Sequence, residues 1–295
     1  MARGVAVVLC ALTLEAGVAA AQAVPSPTVP ASTPMPAVPP APPAWRRGAR
    51  RPYTLNPLVD GAVLAATASL WLGPEFMHHE LVPLGRCPCD PSMLNDLDRS
   101  TAGINVPNVA VPSNVATGLL IMAPVVFDAF DVWRSHGSMP EWIEDSLVIG
   151  EALVVGGALN EIVKLTFQRP RPGLYGVDPG AASLQDPESY LSFYSLSAAE
   201  VFTALAAGTM TFALRHPHSP WRWVYLGAAG LLASGFGVSR FLLGKHFPSD
   251  VLTAAAVGTL VGVGIPLLHT RSVPLTLGAA AGPGGAMLTA TLVTR

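Results

Sequence analysis

Charge is scarce in this chain. Only 12% of its 295 residues are Asp, Glu, Lys or Arg, against about 25% in ordinary soluble domains. The formal net charge of -2 excludes a global field that would gather nucleic acid. Cysteine is rarer still: Cys10, Cys87 and Cys89 are all there is. Cys10 falls in the N-terminal leader, and only Pro88 separates the other two. A bridge across one residue is strained, and two thiolates make half a zinc site, so a disulfide scaffold is excluded. Cys87 and Cys89 read as a loop with two thiols or as one strained bridge. What the chain has in quantity is apolar side chains, 51% of the total, with a mean hydropathy of +0.45. Such a chain sits in a membrane or forms a very apolar helical bundle.

The N-terminus reads as a signal peptide over residues 1–23. Arg3 supplies the positive start, Gly4 to Leu14 the apolar run, and Ala21-Gln22-Ala23 the small-x-small cleavage pattern. An uncleaved anchor is the competing reading. Residues 24–55 are expected to be a Pro-rich disordered tether, with Pro39-Pro40 and Pro42-Pro43 in it. Arg46, Arg47, Arg50 and Arg51 within it either touch anionic headgroups or are solvated.

Residues 56–270 carry a helical pattern. Six apolar segments fall near 58–73, 109–129, 143–165, 197–215, 222–243 and 249–269, separated by proline- and glycine-bearing turns. A membrane-spanning helix needs about 20 mostly apolar residues. Val251 to Thr270 is an uncharged run of that length, whereas Glu151 and Glu161 cut the third segment short. The uncharged runs lean towards a bundle that does not cross six times and sits in the periplasm. The last segment, 271–295, is β-prone on either side of Gly282-Pro283-Gly284-Gly285, and reads as a terminal hairpin or a frayed tail.

Three stretches carry chemistry. Lys164 and Arg171-Pro172 stand in a K-x6-R-P spacing, and Ser239-Arg240, His246 and Asp250 in S-R-x5-H-x3-D. Between them lies Tyr194-Ser195-Leu196-Ser197-Ala-Ala-Glu200, at a helix start. Cations beside apolar helices need partners or an anionic ligand, and arginine grips phosphate oxygens bidentately. Three cations and a helix N-terminus make an oxyanion site. Asp250, four residues after His246, falls near it and is expected to accept from one imidazole nitrogen, leaving the other basic.

These motifs resemble the first and third signatures of the type 2 phosphatidate phosphatase and vanadium-haloperoxidase superfamily. The resemblance implies an all-α six-helix bundle with the short C-terminal hairpin appended. It implies that His246 attacks phosphorus to form a phosphohistidine and that Asp250 orients it. Lys164, Arg171 and Arg240 would hold the oxygens, with Ser195 and the Leu196 amide completing the cradle. Neither metal nor other cofactor is implied. In the family the second signature, P-S-G-H, ends in the histidine that protonates the leaving oxygen. Here that position is Ser197, a degenerate general-acid position, and the glycine before it is Leu196. Ser197-Ala-Ala-Glu200 has the form of a capping box, a structural reason for both residues. His78, His79, His136, His216 and His218 read as surface or loop histidines.

The expected partner is a phosphate-bearing small molecule or lipid, at an exported, periplasmic or membrane-associated location. A phosphomonoester or diphosphate hydrolase of reduced rate is the first reading. A non-catalytic phosphate-binding or membrane-structural protein derived from one is the second. A vanadate-dependent haloperoxidase is the third, and it too wants the missing histidine. With a cleaved leader and six crossings, the loops after the third and fifth helices would face the cytoplasm, whereas the resemblance implies a site on the outer face.

Overall fold

Long apolar stretches bounded by helix-starting and helix-stopping residues build this domain. The computed structural model describes residues 51–85, 89–106, 108–176, 180–270, 275–282 and 285–292. The expected leader, nearly all of the tether, Cys10 and Cys87 lie outside the described residues. Cys89 is disulfide-bonded.

Among the described residues, six helices exceed eighteen residues: α1 Pro57–Glu75, α2 Ala110–Arg134, α3 Met139–Phe167, α4 Leu196–Arg215, α5 Trp221–Leu242 and α6 Pro248–Leu268. Local chemistry sets their ends. The Asn56 side chain accepts from the Leu58 and Val59 amides and starts α1 with Pro57 at its first position. Pro248 opens α6 in the same way. Gln168, in the left-handed region (φ 41), ends α3, with its N–H on the Lys164 carbonyl at 2.8 Å.

The middle of the bundle is α4, which packs against α2, α3, α5 and α6. Its buried positions are mostly small: Ala198, Ala199, Ala204, Ala207 and Gly208, with Thr203 and Thr211. Small side chains let backbones approach closely. The approach is tightest at α6. A Cβ on Gly258 would lie 2.5 Å from the Ala199 carbonyl oxygen, and one on Gly262 2.4 Å from that of Thr203. The Thr203 hydroxyl donates to the Gly258 carbonyl at 3.1 Å across this seam. On the other side, α1 lies along α3 with the Trp71 ring over Gly157.

The outer face is apolar. Along α2, Val111, Val115, Leu119, Met122, Val126, Phe130 and Trp133 are exposed at three- and four-residue intervals. Among the described residues five helices, α2 to α6, are long and apolar enough to cross a membrane. Uninterrupted runs understate this, because the interrupting charges point inwards and are paired. Arg215 of α4 pairs with Asp145 of α3. Glu151 lies 3.3 Å from His269, and Glu161 2.6 Å from His78. Paired inward charges cost a lipid-facing surface nothing.

One boundary differs from the sequence reading. The tether was placed through residue 55, yet Tyr53 is buried. Its hydroxyl shares a hydrogen bond with Thr211 (2.8 Å), and it forms a bridge with Thr270. An apolar ring with a hydroxyl partner outweighs the composition around it. At the C-terminus, β1 Leu275–Gly282 and β2 Gly285–Leu292 pair antiparallel, Leu275 opposite Leu292.

The α4–α6 seam predicts that Gly262→Val destabilises the domain by about 1–3 kcal/mol, the usual effect of overpacking. A lower thermal midpoint of the detergent-purified protein checks this, and an unchanged midpoint contradicts so close an approach.

Candidate active site at one end of the bundle

One end of the bundle gathers the end of α3, the start of α4, the end of α5 and the start of α6, and the motif residues with them. Lys164 lies in the last turn of α3. Arg171 follows the left-handed Gln168 and Pro170, which stop the helix and turn the chain. Arg240 lies in the last turn of α5, and Asp250 in the first turn of α6. Between α5 and α6, Gly244 takes φ +68, and a Cβ there would lie 2.1 Å from the Ile104 carbonyl oxygen. Only glycine fits that turn, which delivers His246 two residues later.

His246 is 3% exposed. Its Nδ1 lies 2.9 Å from the Ser192 carbonyl oxygen. A carbonyl only accepts, so Nδ1 carries the proton and Nε2 is left as the basic nitrogen. Asp250 does not take the place expected for it, since its Oδ2 is 3.9 Å from Nδ1. It acts one step removed. Asp250 accepts from the Ser192 hydroxyl (2.6 Å), from the Phe247 amide (2.9 Å) and from Arg169 (2.6 Å). Asp250 therefore fixes the residue whose carbonyl fixes the imidazole.

Three cations surround this ring. Burial lowers the His246 pKa well below its ordinary value, and Arg171, Arg240 and Lys164 push it the same way. The imidazole is thus neutral across the physiological range. Lys164 and Arg240 are buried. The Nε atoms of both Arg171 and Arg240 are buried with no hydrogen-bond partner. Arg240 otherwise donates through Nη1 to the Ser113 hydroxyl, and Arg171 through Nη2 to Glu188 (2.8 Å). Buried donors without acceptors are costly, and a tetrahedral oxyanion between them and His246 would supply the acceptors. Lys245 adds a further positive group, and burial with Arg171 and Arg240 lowers its pKa. Lys164 and Lys245 are the only lysines in the sequence.

The second stretch departs from the expected local structure. Ser195, not Ser197, caps α4, accepting from the Ala198 amide at 3.4 Å. Ser197 is the second helical residue, and its hydroxyl is buried and unpartnered. The capping box read for Ser197 and Glu200 is therefore not formed. Leu196 is the first residue of α4. Glu200 has Lys164 and Glu75 as its charged neighbours. Asn160, one turn before Lys164, is fully buried and donates to the Tyr194 carbonyl at 2.7 Å. It ties this loop to α3.

Several site residues were not singled out from sequence. Arg169 bridges Asp98 (2.8 Å) and Asp250 (2.6 Å) and lies over the Phe247 ring at 4.1 Å. Its signal was present, an arginine inside the first motif, but its partner Asp98 is 71 residues away in a connection with no motif. His78, expected at the surface, is 5% exposed and lies between Glu161 (2.6 Å) and Glu188 (2.8 Å). His216 is also partnered, with Asp131 at 2.7 Å, while His79, His136 and His218 are exposed. Among the described residues two groups could hold a metal ion by proximity, Glu75 with His78 and Glu188, and Asp60 with Glu151 and His269. In both, ion pairs already account for the arrangement.

The neutral His246 carries a pH prediction. Its pKa is lowered, so it gains no proton as pH falls through the ordinary imidazole range near 6.5. His246 should therefore contribute no acidic limb to kcat/KM between about pH 6 and about pH 7.5. An NMR titration of the His246 ring nitrogens checks this, and protonation of the ring in that range would show that it is not held neutral.

The comparisons with known proteins agree with this geometry. Residues 145–274 match the profile of the PAP2 superfamily. The chain is 30% identical over 152 residues to a lipid A 1-phosphatase of Porphyromonas gingivalis, covering 50% of this chain and 28% of that protein. It is 32% identical over 125 residues to a decaprenylphosphoryl-5-phosphoribose phosphatase of Mycobacterium tuberculosis, covering 42% of this chain and 62% of that protein. The matches thus span from about a quarter to about three fifths of these relatives. No solved structure matches significantly. The matched profile runs from α3 through α6, across the loops that carry His246 and its cations, so this part of the chain is similar to the PAP2 superfamily.

Proposed function

We propose that this protein is a phosphatase acting on lipid-linked phosphate monoesters or diphosphates through a phosphohistidine on His246. The observation that carries the reading is a buried neutral imidazole among Arg171, Arg240 and Lys164, two of which keep buried Nε donors unpartnered. The names of the two relatives and the apolar outer face support a lipid-linked substrate.

In this reading Nε2 of His246 attacks phosphorus in line with the leaving oxygen. The P–O bond to the alcohol breaks as the P–N bond forms. Arg171, Arg240 and Lys164, with the Ser195 hydroxyl and the Leu196 amide at the start of α4, stabilise the equatorial oxygens. Asp250 holds Ser192, and the Ser192 carbonyl holds Nδ1–H, so the ring keeps one tautomer throughout. Water then attacks phosphorus from the vacated side, the P–N bond breaks with its electron pair returning to Nε2, and phosphate leaves carrying the oxygen of the water and a proton, the other proton passing to solvent. The weak link is the proton for the leaving oxygen. Ser197 has too weak an acid to provide it, and general acid catalysis is typically worth about 10²–10⁴-fold.

Turnover should therefore be slow, and slowest for alkyl phosphates, whose leaving oxygen most needs a proton. Aryl phosphates and diphosphates should suffer least. A phosphate-release screen over lipid, diphosphate and aryl substrates measures this, and an equal deficit across leaving groups contradicts it. His246→Ala should abolish p-nitrophenyl phosphate hydrolysis, and the double change Ser197→His with Leu196→Gly should raise it. A second reading, a phosphate binder without catalysis, is favoured by the hydroxyl at position 197. Phosphate binding with no turnover in any of these proteins would establish it.

We place the site on the side of the membrane away from the cytoplasm. Arg51, Arg134 and Arg222 lie at the opposite end of the bundle, with Trp133, Trp142, Trp221 and Trp223, and both features suit a cytoplasmic interface. A cysteine introduced by Ser219→Cys should react with an impermeant thiol reagent only in inside-out vesicles. Reaction in intact cells would reverse the orientation.

A further inference from the structure

A line of alternating charge runs into the cradle from a part of the chain outside all three motifs. Glu161 of α3 is 1% exposed and lies 2.6 Å from Nε2 of His78. His78, in the short turn His78–Leu81 after α1, presents Nδ1 to Oε1 of Glu188 at 2.8 Å. Glu188, in the turn Pro187–Tyr190, accepts through Oε2 from Nη2 of Arg171 at 2.8 Å.

Carboxylates face both nitrogens of His78: Glu161 in a hydrogen bond at Nε2, and Glu188 in close contact at Nδ1. Burial would raise the Glu188 pKa, but Lys164, Arg171 and His78 outweigh it and hold the group below its ordinary value. Glu188 therefore keeps its charge, with one oxygen beside the His78 ring and the other accepting from the guanidinium of Arg171. The remaining charged neighbours are Lys164 of α3, Glu75 of α1 and, beside Lys164, Glu200 of α4.

We propose that His78 is a positioning residue for phosphate binding. Through Glu188 it fixes the Arg171 guanidinium, whose buried Nε has no other partner. Glu188 alone is a poor anchor, because it stands on a short turn and its side chain is 37% exposed. His78 ties it to Glu161, and Glu161 lies three residues before Lys164 on the same helix. One helix thus sets Lys164 directly and Arg171 through two intermediaries. Such a line acts on how tightly the anion is held rather than on the attack by His246. The inference rests on the phosphatase reading above and adds the α1–α2 connection to its binding site.

The experiment uses the full chain in detergent, with inorganic phosphate as the probe. Its inhibition constant is measured together with KM and kcat for p-nitrophenyl phosphate. His78→Ala and Glu188→Gln should each raise the phosphate inhibition constant and KM about tenfold, as expected for loosening one charge-assisted contact. In both, kcat should change less than about threefold, and the double variant should be no worse than either single one, since both cut the same line. His78→Lys, which puts a cation facing Glu188, should recover part of the affinity. Unchanged phosphate affinity in either folded variant, a fall in kcat at constant KM, or additive effects would overturn the proposal. If His78→Ala does not fold, Glu188→Gln, isosteric and partly exposed, decides alone. A wild-type protein that neither binds phosphate nor turns over substrate removes the phosphatase reading and this inference with it. Wild-type binding matched by the variants removes the inference only.

Discussion

Positive charge buried at the end of an apolar bundle has to be answered by something. Lys164 and Arg240 are buried, and Arg171 spends only part of its guanidinium on Glu188. Stripping such groups of water costs several kcal/mol each unless partners replace it. The domain supplies some: Glu188 for Arg171 and a serine hydroxyl for Arg240. It leaves two guanidinium Nε atoms unanswered. The same uncompensated field keeps the His246 ring from taking a proton. In the proposed function, affinity for an anion and a free nitrogen lone pair to attack it would be two results of one electrostatic arrangement.

The rest of the end of the bundle holds that arrangement still. Arg169 is spent entirely on structure, with Asp98 on one side, Asp250 on the other and the Phe247 ring beneath. Removing it would leave two carboxylates buried without a counterion, the costly case among buried ion pairs. Asp250 in turn gathers Ser192 and the start of α6. Behind these contacts stands α4, which brings its N-terminus to the site because small residues let four neighbouring helices close around it.

Much of this was legible from the sequence, and the misreadings share a cause. The helices fall close to the apolar segments, because hydrophobic runs and prolines mark boundaries locally. The third segment, read as 143–165, extends over Met139–Phe167, since its carboxylates are buried and do not interrupt the helix. His246, Arg171, Arg240 and Lys164 were found by spacing. The contacts around them were not, because spacing reports neighbours along one helix and these contacts cross between elements. His78 meets Glu161 across 83 residues. Ser192 takes the imidazole contact expected of Asp250 across 54. The cap of α4 falls on Ser195 because the turn before the helix is tied to Asn160 and to the Asp250 carbonyl. Ser197 and Glu200 match a local pattern that tertiary contacts override.

Lysine usage gives the molecule an unplanned chemical simplicity. Lys164 and Lys245 carry the only side-chain primary amines, the first near the His246 ring and the second near Arg171 and Arg240. An acylating reagent that modifies side-chain amines can therefore report only on that neighbourhood. Occupancy by an anion would be written directly in the labelling, without a purpose-built probe.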